Sequence, residues 1–338
     1  MKTNESSVLA RWGRLLGAAL GLSLVVGLVL VAFSWPSARS HPRDLPVAVT
    51  GPAAATVQVQ ERLDARQPGG FDLEHFASAS AAEQAVRDRE VYGVVELDGT
   101  DGPRVVTASA ASPAVAQILT QLGQQLGTTG AAGSTRNVHD LVAAPANDPR
   151  GAAVSTSVLP LIIGGTLATT VLDLLTGHQL RRAVAVVVLA LSAGVVMALV
   201  LHTWLGAVGG DFWVLSAVAA LGVGAIALTL TGLHGLFGIR GLGVGAATMM
   251  LLGNPLSAAA SAPEMLPDGW STVGQLLPPG AFVSLLRSVS AFDGAGSGGP
   301  LLVLLAWAVL GLVACWAAHL RSPRRSVTDA HPAHLVSA

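Results

Sequence analysis

Charge is what this sequence has least of. Asp, Glu, Lys and Arg together make up 12% of its 338 residues, while hydrophobic residues reach 51%. A soluble globular chain carries about twice that share of charge, so a single water-soluble domain is excluded. Cysteine occurs once, as Cys315 inside an apolar run, so any polar domain here must fold without an internal disulfide. Catalytic motifs are missing too. There is no Gly-x-x-x-x-Gly-Lys-Ser/Thr phosphate loop, no Gly-x-Ser-x-Gly elbow, no His-Glu-x-x-His and no paired-cysteine metal site. The chain cannot hydrolyse ATP alone, its nine histidines are scattered, and neither an enzymatic nor a cofactor-binding role is indicated.

What is abundant is apolar sequence in long runs. Crossing roughly 30 Å of hydrocarbon at 1.5 Å per residue takes about 20 residues. Runs near that length lie at Leu15–Ser34, Val158–Leu175, Ala183–Leu201, Phe212–Leu233, Leu242–Ala262 and Leu301–Ala318. The expected fold class is therefore an α-helical polytopic membrane protein of six transmembrane helices, with a small extracytoplasmic α/β domain inserted between helices 1 and 2. The first run could be read as a secretory signal, but it is longer than a signal core and Trp12 and Trp35 bracket it as interface anchors; an uncleaved span is expected.

Orientation follows from the basic residues. Nine of nineteen lie in residues 35–156, too long a segment for charge counting. If six spans alternate, Lys2, Arg11, Arg14, Arg181, Arg182, Arg240, Arg321, Arg324 and Arg325 share one side and only Arg287 falls on the other. Lys and Arg near span ends stay in the cytoplasm, so both termini are expected inside the plasma membrane. The expected organisation is residues 1–35 (N-terminus and first span), 36–156 (exported domain), 157–320 (five-helix membrane domain) and 321–338 (a short, polar, disordered cytoplasmic tail). The exported domain holds thirteen acidic and nine basic residues, with no basic stripe for nucleic acid.

Within that domain "DLPVAVTG" (44–51), "VYGVVEL" (91–97) and "PRVVTASA" (103–110) read as strands and "AAEQAVRDRE" (81–90) as a helix. "DGTDGP" predicts a tight turn joining 91–97 and 104–109 as a hairpin. "SPAVAQILTQLGQQL" opens a helix with Ser112 as N-cap and Pro113 at the first position. A flexible loop, "GTTGAAGS", precedes a last strand around Asn137–Ala143. In the membrane half, paired glycines in spans 3 to 5 (Gly222 and Gly224; Gly241, Gly243 and Gly245) predict close helix packing.

Two places invite function. Asp173 is the one acid within an expected span, about a turn from its cytoplasmic end. It is a candidate proton or substrate site, or an interface carboxylate that pairs with Arg181 or Arg182. The second place is "GNPLSAAASAPEMLP" (253–267), together with the stretch from there to residue 292. Counted from Arg240, Asn254 and Pro255 lie about 20 Å into the bilayer, where a proline breaks the helix and irregular backbone survives only if protein or trapped water satisfies it. The apolar spacing over 270–289 predicts two short helices parted by Pro278-Pro279, forming a re-entrant segment over 254–292. Asn254, Pro255, Glu264, Pro267, Pro278, Pro279 and Arg287 are its candidate gate residues; the alternative is an ordinary wet loop.

"GNPLSAAASAPEMLPDGWSTVGQLLPPGAFVSLLRSVSAFDG" resembles the end of the membrane domain of ABC-2-type transporters and of the related phage-infection-protein (YhgE/Pip-like) family. "LPVAV", "DREVYGVVEL" and "ASAASPAVAQ" are similar to the extracytoplasmic part of an actinobacterial branch of ABC-2-type permeases. The resemblance covers about Leu15 to Leu320. It implies a permease subunit, a homodimer or one paired with a sister protein, that exports a hydrophobic or amphipathic compound with a separate ATPase docking on Arg181, Arg182 and the basic N-terminus. In two places the sequence departs from the pattern. Ser257, Ala258 and Ala259 stand where relatives carry glycines, and "TGHQLRR" (176–182) leaves no room for a coupling helix. The rival expectation is a non-transporting scaffold whose exported domain binds a partner.

Overall fold

The computed structural model describes residues 2–97, 103–127, 138–176 and 178–321. Most of the turn expected at 98–103, most of the loop at 127–134, Asn137 and the tail beyond Arg321 lie outside the described residues. Among the described residues the chain is mostly helical with one small sheet, and five helices are long and apolar enough to cross a membrane.

The first is α1 (Lys2–Ala38). Its stretch from Arg11 onward is apolar and largely unburied, Leu15, Leu20, Leu24 and Val31 all being exposed. Only its end, where Trp35 meets Trp270 edge to face at 5.6 Å, is held by the rest of the molecule.

A sheet module comes next: β1 (Leu45–Thr50), α2 (Ala53–Asp64), β2 (Phe71–His75), α3 (Ala79–Arg87), β3 (Gly93–Glu96), β4 (Arg104–Thr107), α4 (Pro113–Gly127) and β5 (Val138–Asp140). The strands run in the order β2-β1-β3-β4-β5, parallel except for the antiparallel β3–β4 pair. The chain steps from β1 to β2 through α2, then back past β1 to β3 through α3. Reversing direction at constant crossover hand puts the second helix on the opposite face. Accordingly Val59 and Leu63 of α2 pack with Leu45, Val47 and Val49, whereas Ala82, Ala85 and Val86 of α3 pack with Ala48 and Val94. The antiparallel hairpin, the helix at Pro113 with Ser112 before it and the late strand all form as expected from the sequence. The pair α2–β2 carries no comparable apolar pattern: β2 is an edge strand with a single buried residue, Phe71.

The membrane half comprises α5 (Ala152–Leu175), α6 (Gln179–Ala198, continued by a π turn to Trp204), α7 (Phe212–Phe237), α8 (Ile239–Thr248), α9 (Trp270–Leu276), α10 (Pro278–Ala291) and α11 (Gly298–Arg321). Helix α7 is the hub, buried along most of its length, with α5, α6 and α11 around it. Small residues permit this: a Cβ on Gly194 of α6 would meet the Ser216 carbonyl of α7 at 2.4 Å, and one on Gly311 of α11 would meet Leu228 at 2.6 Å. Asp211 caps α7 by accepting from the amides of Trp213 and Val214.

The fifth expected run, Leu242–Ala262, does not form one spanning helix. α8 continues through a π turn only to Gly253, fifteen residues from Ile239, or about 22 Å. Pro255 offers no amide and its ring crowds the carbonyl four residues back, and just before it the amide of Asn254 reaches five residues back, to Met249, at 3.0 Å. A 3-10 turn at Pro255–Ser257 and Ala258 in the left-handed region (φ 53) then end the helix.

Candidate functional site at the helix break

The broken helix, the returning pair α9–α10 and the sheet module meet at one place. Helix α9 ends beside the middle of α11: the Trp307 indole donates to the Leu276 carbonyl at 2.8 Å, nine residues or roughly 14 Å along α11 from Gly298. Phe282 of α10 is fully buried, and a Cβ on Gly222, about 15 Å along α7, would meet its ring at 2.6 Å. Pro279 lies against Gly253. The α9–α10 corner therefore sits at mid-height in the helical bundle, and α10 climbs from there to the module. The two short helices parted by Pro278-Pro279 are present, and α10 is buried on most of its surface.

The module grips both sides of this segment. Ala262 and Met265 complete the core under one face of the sheet, and Phe292 completes the core under the other. Polar contacts line the same seam. Tyr92 donates to Glu264 at 2.7 Å. Arg89 donates to the Ser284 carbonyl at 3.0 Å and to the Ser288 hydroxyl, and its guanidinium lies 5.4 Å from the centre of the Phe292 ring. Arg89 itself takes the left-handed conformation (φ 62) at the end of α3, a local cost of about 1–2 kcal/mol for a residue with a Cβ that aims its side chain across the seam. Burial, with the Glu264 carboxylate beside it, pushes the Tyr92 hydroxyl far above its ordinary range, and burial pulls the Arg89 guanidinium down. Arg287, also buried, donates from Nη1 to the carbonyls of Ala258 (3.2 Å) and Ser261 (3.3 Å) and from Nη2 to that of Ala259 (2.7 Å). These three carbonyls belong to the irregular backbone after Pro255, so the arginine supplies the donors that a helix would have supplied.

Two cavities adjoin this wall. One, of about 370 Å³, is lined by Asn254, Pro255, Ser257 and Ser261 from the break, by Ser37 at the end of α1 and Ser40 just after it, and by Ser155 of α5. Among the described residues no group bonds the Asn254 carboxamide. The other, of about 350 Å³, lies between the module, the Gly206–Gly209 loop and α10, with Arg287, Ser290, Ser109 and Asp148 in its lining. An apolar groove of about 530 Å³ runs lower, between α5 and α6 beside Pro160 and Met197.

Of the sequence-derived gate residues, the structure gathers Asn254, Pro255, Glu264, Pro278, Pro279 and Arg287 around the break. Pro267 lines neither cavity beside the break, and its carbonyl accepts from the Trp270 amide to start the turn into α9. Sequence reasoning missed Arg89 and Tyr92, which lie nearly two hundred positions away and carry no local pattern. It also missed Asp148, whose carboxylate caps α5 by accepting from Ala152 and Ala153 at 2.7 and 2.8 Å.

Asp173 is elsewhere, at the far end of the bundle. It pairs with Arg182, the interface alternative, and lies 3.6 Å from His234 of α7. Arg182 is buried and also donates to Gln179, which in turn donates to the Thr231 carbonyl. This knot ties α5, α6 and α7 together. Arg181 is exposed, but Arg182 is turned inward and is not part of a free basic surface.

Compared with protein-family models, with curated proteins and with solved structures, the chain matches none.

Proposed function

We propose that the chain is the permease-like membrane subunit of an ABC-2-type exporter, which moves a hydrophobic or amphipathic compound outward with a separate ATPase subunit. In this reading the chain crosses the plasma membrane six times with both termini in the cytoplasm, α8 and its π turn supply the short fifth crossing, and the sheet module stands outside. The observation that carries it is the cavity at the break. A hydroxyl-rich space with an unpartnered Asn254 carboxamide sits where the helix stops short, directly beneath a module that grips the same segment from both sides. Irregular backbone at such a depth survives where protein buries it or where it lines a water-filled cavity; here a polar cavity adjoins it, and the apolar groove between α5 and α6 offers an approach for a lipid-like compound. A homodimer or a sister permease would complete the path.

The inward turn of Arg182 favours a second reading, a membrane scaffold whose outer module binds a partner, because the short α5–α6 connection then presents only Arg181 to an ATPase. The test is to tag the chain, express it with the ATPase encoded in a neighbouring reading frame, and ask whether the two co-purify. The exporter reading expects co-purification and an ATPase rate that falls several-fold with Arg181→Ala and Arg240→Ala together. Purification without any ATPase, and unchanged resistance of cells to amphipathic compounds on deletion, would leave the scaffold.

A further inference from the structure

The seam between module and bundle carries an unbalanced charge. Arg89 and Arg287 are both turned into it, and the one carboxylate there, Glu264, spends its bond on Tyr92. Among the described residues no carboxylate reaches ion-pair distance of either arginine. Arg89 is met by a carbonyl, a hydroxyl and the Phe292 ring. Arg287 is met by three carbonyls, which take both Nη1 hydrogens and one on Nη2. Its Nε hydrogen and the second Nη2 hydrogen have no acceptor among the described residues. A guanidinium carries five donors in a fixed fork suited to a two-oxygen anion, and two neighbouring cations that share the single charge of Glu264 are incompletely balanced, which is costly where they are buried.

Arg287 also lines the cavity of about 350 Å³ between the module and α10. Most of the remaining wall is apolar, from Ala110, Pro113, Val142, Val154 and Val208, with the Ser109 and Ser290 hydroxyls among it. Asp148 is in the same wall, but both of its oxygens are committed to the first amides of α5. A single cation in a mostly apolar hollow suits a ligand with one charged end and a hydrocarbon body.

We infer that this cavity binds the oxyanion end of an amphiphile, a phosphate or a carboxylate, with Arg287 as its cationic partner and the wall from Ala110 to Val154 against its apolar part. Placing the site at the level of the outer headgroups rests on the proposed orientation of the chain; the binding itself does not. Nor does it require an ATPase, so its failure and that of the exporter reading are separable.

The test uses the full-length chain in detergent and native mass spectrometry with phosphatidylglycerol or phosphatidylcholine of equal chain length, alongside thermal unfolding with inorganic phosphate. The expected result is at least about tenfold preferential retention of the anionic lipid, which corresponds to about 1.4 kcal/mol. That preference should be lost in Arg287→Gln and in Ala144→Trp, which fills the cavity from the module side and leaves Arg287 in place. If inorganic phosphate alone stabilises the wild type but not Ala144→Trp, the oxyanion is drawn from water and the site stands with a free ligand. Should Arg287→Gln fail to fold, Ala144→Trp decides alone. Equal retention of both lipids with no effect of phosphate, or a preference that survives Ala144→Trp, overturns the inference.

Discussion

Tyr92 is the only tyrosine of the chain, so its ionisation can be followed directly by absorbance near 295 nm. Its folded-state pKa is raised above the ordinary value of 10.0 by burial and by Glu264. A raised pKa contributes stability that is fully present below the unfolded value and lost as pH rises above it. The folded protein should therefore show no tyrosinate near pH 10, and the signal should appear only together with unfolding. An ordinary titration curve in folded protein would contradict the buried Tyr92–Glu264 bond. Tyr92→Phe leaves Glu264 without its donor and is expected to cost about 1–3 kcal/mol, read as a lower thermal midpoint. At the other end of the bundle, Asp173→Asn leaves the buried Arg182 without its carboxylate. Because Asp173 is about one-third exposed, the expected loss is about 1–3 kcal/mol rather than the full value for a buried pair. A double variant with Arg182→Gln should lose less than the two single losses combined, since neighbours in one network are not additive.

Among the helices and turns, the α9–α10 corner depends on two glycines. A Cβ on Gly274 would meet the Leu256 carbonyl at 1.9 Å, and one on Gly280 would meet the Gly274 carbonyl at 2.2 Å. Both obstacles are backbone, so neither can swing aside. Gly274→Ala and Gly280→Ala should each displace the corner and lower the temperature at which the detergent-solubilised protein aggregates by several degrees. Gly243→Ala, where nothing lies within 4 Å, should be neutral or slightly stabilising, since alanine favours a helix by up to about 1 kcal/mol over glycine. Equal effects at all three positions would show that the corner is not packed this tightly. Phe282 against Gly222 is the matching contact on α7, and in lipid it stabilises by close van der Waals packing rather than by removal of apolar surface from water.

At the scale of the whole molecule, the sheet module does not close its own core. Ala262, Met265 and Phe292 of the membrane half fill the two faces of the sheet module. A fragment of residues 39–151 expressed alone should bind a hydrophobic dye and unfold at a lower temperature than the same module within the full chain. If the fragment is as stable as the intact protein, the seam contributes nothing. The proposed orientation has its own check. Reporter tags before Leu15 and after Arg321 should lie on the same, cytoplasmic face of intact cells, and external protease should cut between residues 39 and 151.

How much of this could be read from the chain varies with the range of the interaction. Apolar runs of spanning length, the β3–β4 hairpin and the helix begun by Ser112-Pro113 are properties of neighbouring residues, so they were legible in the sequence. So was the stop at Asn254-Pro255, because a missing amide and a crowding ring act within one turn. Edge strand β2 was not, since a strand with one buried residue has no alternation to read. The destinations of the lone polar side chains were not legible either. Arg287, expected as a gate residue of the re-entrant segment, is buried with three carbonyls left over from the break converging on it, and Arg89 and Tyr92 reach the same seam only once the sheet has folded. Local chemistry determined which segments are helical, apolar or broken. Only the tertiary structure decided that the break, the half-height hairpin and the module meet, because contacts between residues more than a hundred positions apart leave no periodic trace along the chain.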